Sequence, residues 1–127
     1  MRLEGFVEKG WGHEKIWVTN DHYCSKFMKF NEGACFSMHF HREKIETWYV
    51  IEGMFKVVWI DTKDASEHVK MIYGGDTWHN DTLVPHQVFC LVEGTILEVS
   101  TPDSVEDNYR VRPGDSQKVK DVVQDQL

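Results

Sequence analysis

No stretch of this chain approaches the ~18 consecutive apolar residues of a membrane span, and the opening MRLEGFVEKG lacks the apolar core of a signal peptide. Those absences set the expectation of a cytoplasmic protein with no membrane partner. Cysteine is scarce as well. Cys24, Cys35 and Cys90 form an odd, widely spaced set without a CxxC pair, so reduced thiols are the simplest reading. Positive charge is in deficit: 14 Lys and Arg against 21 Asp and Glu give a formal net charge of −7. That balance argues against nucleic acid as a partner, yet a locally positive pocket can still take a small anion. Clean helical periodicity is also missing. No window of twelve or more residues repeats its apolar positions every 3.6 residues with caps at both ends. Low-complexity segments, internal repeats and linkers are absent, so residues 1–127 read as a single domain.

What is present is a strand-forming vocabulary. Five Trp, seven Phe and four Tyr, with 41% hydrophobic residues overall, are enough for a core without disulfide or metal staples. Short segments rich in β-branched and aromatic residues are expected as strands at 14–18, 22–30, 35–41, 46–52, 55–60, 68–73, 76–79, 87–92 and 95–100. Turn residues stand between them at 31–33, 52–53, 61–65, 74–75 and 93–94. Many short strands at this spacing predict an all-β sandwich or small barrel. The end of the polar tail, 117–127, reads as a short helix or loose chain.

One stretch, HFHREKIE at 39–46, carries more ionisable groups than a core strand should. Alternate strand residues share a face, so His39 and His41 point the same way. Arg42 to Ile45 form a short connection, after which Glu46, Trp48 and Val50 share a face. An antiparallel hairpin here would return Glu46 beside His41. Forty residues after Glu46 comes His86, entering another strand. Three neutral imidazoles and a carboxylate make a donor set for one divalent transition metal, with Mn, Fe, Co, Ni and Zn having similar claims. Four protein ligands on an octahedral ion would leave two positions for water or substrate.

The spacing H-x-H, four residues, Glu, six residues, Gly resembles the first signature motif of the cupin superfamily, through His39, His41, Glu46 and Gly53. Gly75, Asp76 and His86 match the second motif, although Asp81 and Leu83 stand where its Pro and Gly are usual. The opening segment Lys9 to Trp17, the stretch from Tyr23 to Met28, and Leu97 to Pro102 followed by Asp107 to Arg110 resemble small cupins related to type II mannose-6-phosphate isomerases. The likeness spans roughly 8–115, leaving 116–127 as a tail. It implies an antiparallel jelly-roll β-barrel, the double-stranded β-helix of cupins, with the metal near one mouth.

The same resemblance implies an isomerase acting on a small-molecule substrate, a sugar or sugar phosphate. Moving a proton between adjacent carbons needs a polarised carbonyl, a base and cations for a phosphate. Glu98 and Glu43 are the base candidates. Glu98 is the stronger, because apolar strand neighbours would raise its pKa. Lys26 and Arg110 are the cations that the resemblance places at the substrate. Trp48 reads as core filler or pocket wall, Lys44 as a solvated turn lysine at the barrel mouth, in one exposed run with Arg42 and Glu43 yet within reach of substrate, and His79 as a rim histidine of the pocket. Other chemistries suit the same ligands: an Fe(II)-dependent dioxygenase, or a non-catalytic sugar-binding module. Open sheet edges need cover, so a homodimer is expected, with Phe6, Trp11 and Trp17 as a contact surface.

Overall fold

A computed structural model describes residues 5–117. They form nine strands: β1 (Gly5–Lys9), β2 (Gly12–Thr19), β3 (Cys24–Phe30), β4 (Met38–Phe40), β5 (Glu46–Asp61), β6 (Ser66–Tyr73), β7 (Thr77–Asn80), β8 (His86–Ser100) and β9 (Tyr109–Arg112). Every pairing is antiparallel. No helix among the described residues is long and apolar enough to cross a membrane.

The architecture follows from two long strands that serve two layers each. Glu46–Val50 of β5 pairs with Ile96–Ser100 of β8 on one side, while Glu46–Tyr49 pairs with β7 on the other. Further along, β5 pairs with the His86–Val92 half of β8 and with β6. One layer therefore runs β1-β2-β3-β8-β5-β7, and the facing layer runs β6-β5-β8-β4-β9. The sheet curls into the antiparallel jelly-roll barrel that the sequence led us to expect.

The layers part where glycine permits close approach. A Cβ on Gly94 would sit 2.1 Å from the Glu52 carbonyl oxygen, and one on Gly53 would sit 2.8 Å from Gly94 Cα. Gly53 also has φ 97°, in the left-handed region that disfavours side chains. The turns expected at 52–53 and 93–94 are therefore bends within continuous strands, with shifts of register at the crossing. Two further strands were not anticipated. Among the described residues β1 is paired only with β2, and β9, exposed along its length, only with β4. The tail expectation falls mostly on 118–127, outside the described residues; 115–117 form a helical turn.

Strict alternation buries Glu46, Trp48 and Val50 on β5, and Ile96, Glu98 and Ser100 on β8. The aromatic core abuts the polar site directly. Trp11 stacks on Phe30, with ring centres 4.4 Å apart, and Phe36 reaches both Trp48 and His86 edge-on. Trp11, expected on a contact surface, is thus a core residue at 4% exposure, whereas Phe6 and Trp17 are exposed.

Candidate metal centre and its charged wall

His39 lies on β4 with His86, the first residue of β8, as its direct cross-strand partner. His41 follows two residues later on the same face. Their rings gather tightly, with centres 4.9 Å apart for His39–His86 and 5.1 Å for His39–His41. One ligand nitrogen from each lies within 4.8 Å of the others, so the three histidines can hold a metal ion. Glu46 arrives differently from the hairpin return envisaged above. Among the described residues β4 pairs with β8 and β9 and not with β5. Glu46 instead reaches across from the other layer, placing Oε1 2.9 Å from His86 Nε2 and 3.9 Å from His41 Nε2.

The outer ring nitrogens are occupied. His41 Nδ1 donates to the Asp107 carbonyl at 2.6 Å, and His86 Nδ1 donates to the Val84 carbonyl at 2.9 Å. His39 Nδ1 is 3.0 Å from Ser37 Oγ. A carbonyl can only accept, so the ring protons of His41 and His86 sit on Nδ1 and their Nε2 lone pairs face inward. His86 Nε2 is buried without a hydrogen-bond partner, although the Glu46 oxygen is close. Two acceptors facing each other at that distance repel, and a shared cation relieves both. The donor set of imidazole nitrogen with one carboxylate suits a divalent transition ion. Burial, reinforced by neighbouring His86, pushes the His39 imidazole well below its ordinary pKa, and burial lowers that of His41, keeping both neutral as ligation requires.

Leu83 explains how His86 is presented without the usual glycine. Its φ is 66°, the left-handed conformation, and its N–H donates to the His41 carbonyl at 2.7 Å. The backbone turn is kept while a leucine bears its strain.

Beside the histidines stands a wall of buried charge. Lys44 Nζ contacts Glu98 Oε2 at 3.1 Å, Glu46 Oε2 at 3.3 Å and Asp103 Oδ1 at 3.4 Å. Lys26 Nζ contacts Glu14 Oε2 at 2.8 Å, Asp103 Oδ2 at 3.4 Å and Glu98 Oε2 at 3.6 Å. Trp48 Nε1 donates to Glu98 Oε1 at 3.1 Å, so Trp48 is both core and a fixture for that carboxyl. Burial and the Glu46 charge push Glu98 up to about 7 against the pull of the two lysines. Burial would also raise Glu46, but the Lys44 charge holds it well below the usual carboxylate range. Burial opposes the charge on Lys26 and Lys44, and their carboxylate partners more than offset it.

These groups line a cavity of about 670 Å³, together with Arg110. Arg110 is the β9 partner of His39 and so lies on its side of the sheet. It makes no hydrogen bond or ion pair with any described residue, unlike Lys26 and Lys44. His79 is not brought to the site. Its neighbour Asn80 faces inward beside Glu46, so strand alternation turns His79 outward, where it meets Thr47 and Asp81. Glu43 sits on the exposed connection and does not line the cavity. Sequence reasoning missed Glu14, whose only signal was a charge in a segment already singled out for resemblance, and Asp103, which falls just past the end of one. It also missed that Lys44 is buried rather than solvated.

No protein-family model and no curated protein sequence matches the chain. Solved structures do. Oxalate decarboxylase from Bacillus subtilis at pH 4.6 superposes with TM-score 0.73 and 22% identity over 85% of this chain and 30% of that one. Lactobacillus farciminis oxalate decarboxylase, in a formate complex, gives TM-score 0.74 and 20% identity over 85% of this chain and 34% of that one. KdgF from Halomonas sp. gives 0.66 and 21% over 79% of this chain and 87% of that one. The chain spans about a third of the length of the oxalate decarboxylases it matches. At these identities the likeness shows the fold alone, an all-β antiparallel jelly-roll barrel; the His39–His41–His86 cluster inside it is able to hold a metal.

Proposed function

We propose that the protein is a metal-dependent isomerase of cupin fold that moves a proton between adjacent carbons of a sugar or sugar phosphate. The observation that carries this reading is the buried carboxyl of Glu98, fixed by Trp48, Lys44 and Lys26 at the edge of the three-histidine cluster. A bound divalent metal, held by His39, His41, His86 and Glu46, would polarise the substrate carbonyl. Glu98 takes the proton from the neighbouring carbon and returns it to the former carbonyl carbon, while the proton of the neighbouring hydroxyl passes to the former carbonyl oxygen. Lys44 and Lys26 hold Glu98 in place and donate to substrate hydroxyls. Arg110, the cavity cation without a carboxylate partner, receives the anionic group. The oxalate decarboxylases and KdgF share the barrel and lend the isomerase assignment no further support. We read residues 1–127 as one domain and the protein as a homodimer, with exposed Phe6 and Trp17 in the contact.

The test is incubation of metal-loaded protein with hexose and pentose phosphates in D2O. NMR should show aldose–ketose interconversion, or deuterium gained next to the carbonyl. Neither signal across the panel, with oxygen uptake after anaerobic Fe(II) loading, would replace the isomerase with a dioxygenase.

A further inference from the structure

Asp107 lies outside the cavity, yet it touches the site twice through chemically separate groups. Its carboxylate accepts three consecutive backbone N–H groups: Arg42 at 2.7 Å on Oδ1, and Glu43 at 3.1 Å and Lys44 at 3.0 Å on Oδ2. Its own carbonyl oxygen accepts Nδ1–H of His41 at 2.6 Å. Residues 42–44 are the connection between β4 and β5, strands that do not pair with each other among the described residues. No ladder hydrogen bonds between those two strands hold this connection, although it must bring Lys44 inward and begin right after His41.

The same segment is anchored just beyond. Tyr109 stacks on Phe40, with ring centres 5.1 Å apart, and the Arg42 guanidinium lies 6.0 Å from the Tyr109 ring. These contacts fix where the Asp107 backbone can stand. The carboxylate then ties that backbone to the 42–44 connection. We propose that Asp107 is a positioning residue: its carboxylate clamps the 42–44 connection so that its carbonyl fixes the tautomer and ring plane of His41. Lys44 gains its inward course from the same clamp.

A carboxylate accepting three N–H groups is a strong local constraint. An outer partner of a ligating histidine is commonly worth about 10–100-fold in metal affinity. The inference rests on the metal-holding reading of His39, His41 and His86, and goes beyond the reaction proposed for them. The metal-free protein supplies an arm that is independent of that reading.

The experiment compares wild type, Asp107→Ala and Asp107→Asn. Long-range 1H–15N spectra of the histidine rings, recorded on metal-free protein at pH 8, report each tautomer. Wild type should show His41 as a single Nδ1–H form. Asp107→Ala should mix the His41 tautomers and leave His86 unchanged, while Zn(II) affinity falls about 10–100-fold. Asp107→Asn keeps an oxygen for Arg42 N–H but opposes an NH2 to the other two donors. It should fold and fall between the two in both readouts, and it decides the matter if the alanine variant does not fold. Wild-type His41 spectra and Zn(II) affinity in the variants would overturn the proposal. So would equal disturbance of His86, because that is general loosening. If wild type binds no Zn(II), the metal reading fails, and the His41 spectra alone judge the clamp.

Discussion

Lys44 Nζ and Glu98 Oε2 meet at 3.1 Å, with the two side chains only 4% and 3% exposed. Neither charge has water to fall back on. Removing one partner of a buried pair commonly costs about 3–5 kcal/mol, because the other is left uncompensated. Lys44→Met should lose somewhat less, about 2–3 kcal/mol, since Lys26 remains near Glu98. Combining it with Glu98→Gln should recover part of the loss, because the orphaned charge is gone. Urea denaturation of the two single variants and the double variant checks the sign. A double variant no more stable than Lys44→Met would show that the pair contributes little.

Glu98 makes stability depend on pH in an unusual direction. Its folded-state pKa of about 7 lies above the ordinary carboxylate value, so the native state holds the proton that the unfolded state has released. Its contribution is complete below about pH 4 and is lost as pH rises toward 7. The metal-free wild type should therefore gain stability relative to Glu98→Gln as pH falls through that window. The difference between their urea midpoints, measured every half unit of pH, reads it directly. Glu98→Gln should also slow the deuterium uptake of any turned-over substrate by about 100-fold or more while metal binding persists.

His86→Ala removes a nitrogen of the proposed ligand set that is buried and already opposed to Glu46. Affinity for Zn(II) or Co(II) should fall at least about 100-fold. His79→Ala is the control: that ring faces outward on β7, and its loss should leave affinity unchanged. Titration calorimetry of both variants separates the inner histidine from the outer one.

Leu83 occupies a conformation that costs a residue with a Cβ about 1–2 kcal/mol. Leu83→Gly should stabilise the metal-free protein by up to about 1 kcal/mol, the added chain entropy of glycine offsetting the rest. A clear loss of thermal stability would mean that the half-exposed leucine side chain contributes packing that outweighs its backbone strain.

Much of the barrel was legible because strand alternation is written locally. Glu46, Trp48, Val50, Ile96 and Glu98 each fall on the face that period two assigns. Errors arose where one strand's fate depends on another. Gly53 and Gly94 carry the same local signal whether a chain turns back or bends, and only the approach of the two glycines to each other decides. β1 and β9, lying at sheet edges, carry too little apolar pattern to be seen from the sequence. Arg42, Glu43 and Lys44 read as one solvated run, but of the three carboxylates that draw Lys44 inward, Glu98 and Asp103 lie more than fifty residues away in the chain. For His79, alternation was available in principle. The clue was that Asn80, and not His79, shares a level and a face with Glu46.

The contact between Gly53 and Gly94 marks the point from which the two long strands diverge. Glu46 and His86, which oppose each other at 2.9 Å, stand seven and eight residues from it on strands that diverge into different layers. At 3.3 Å per residue each arm is about 23–26 Å long, so a change in splay of only about 5° would shift its tip by about 2 Å. That is most of the distance between the two side chains. Substitutions at the crossing, remote from every ionisable group in the cavity, therefore have the leverage to retune how tightly an ion is gripped.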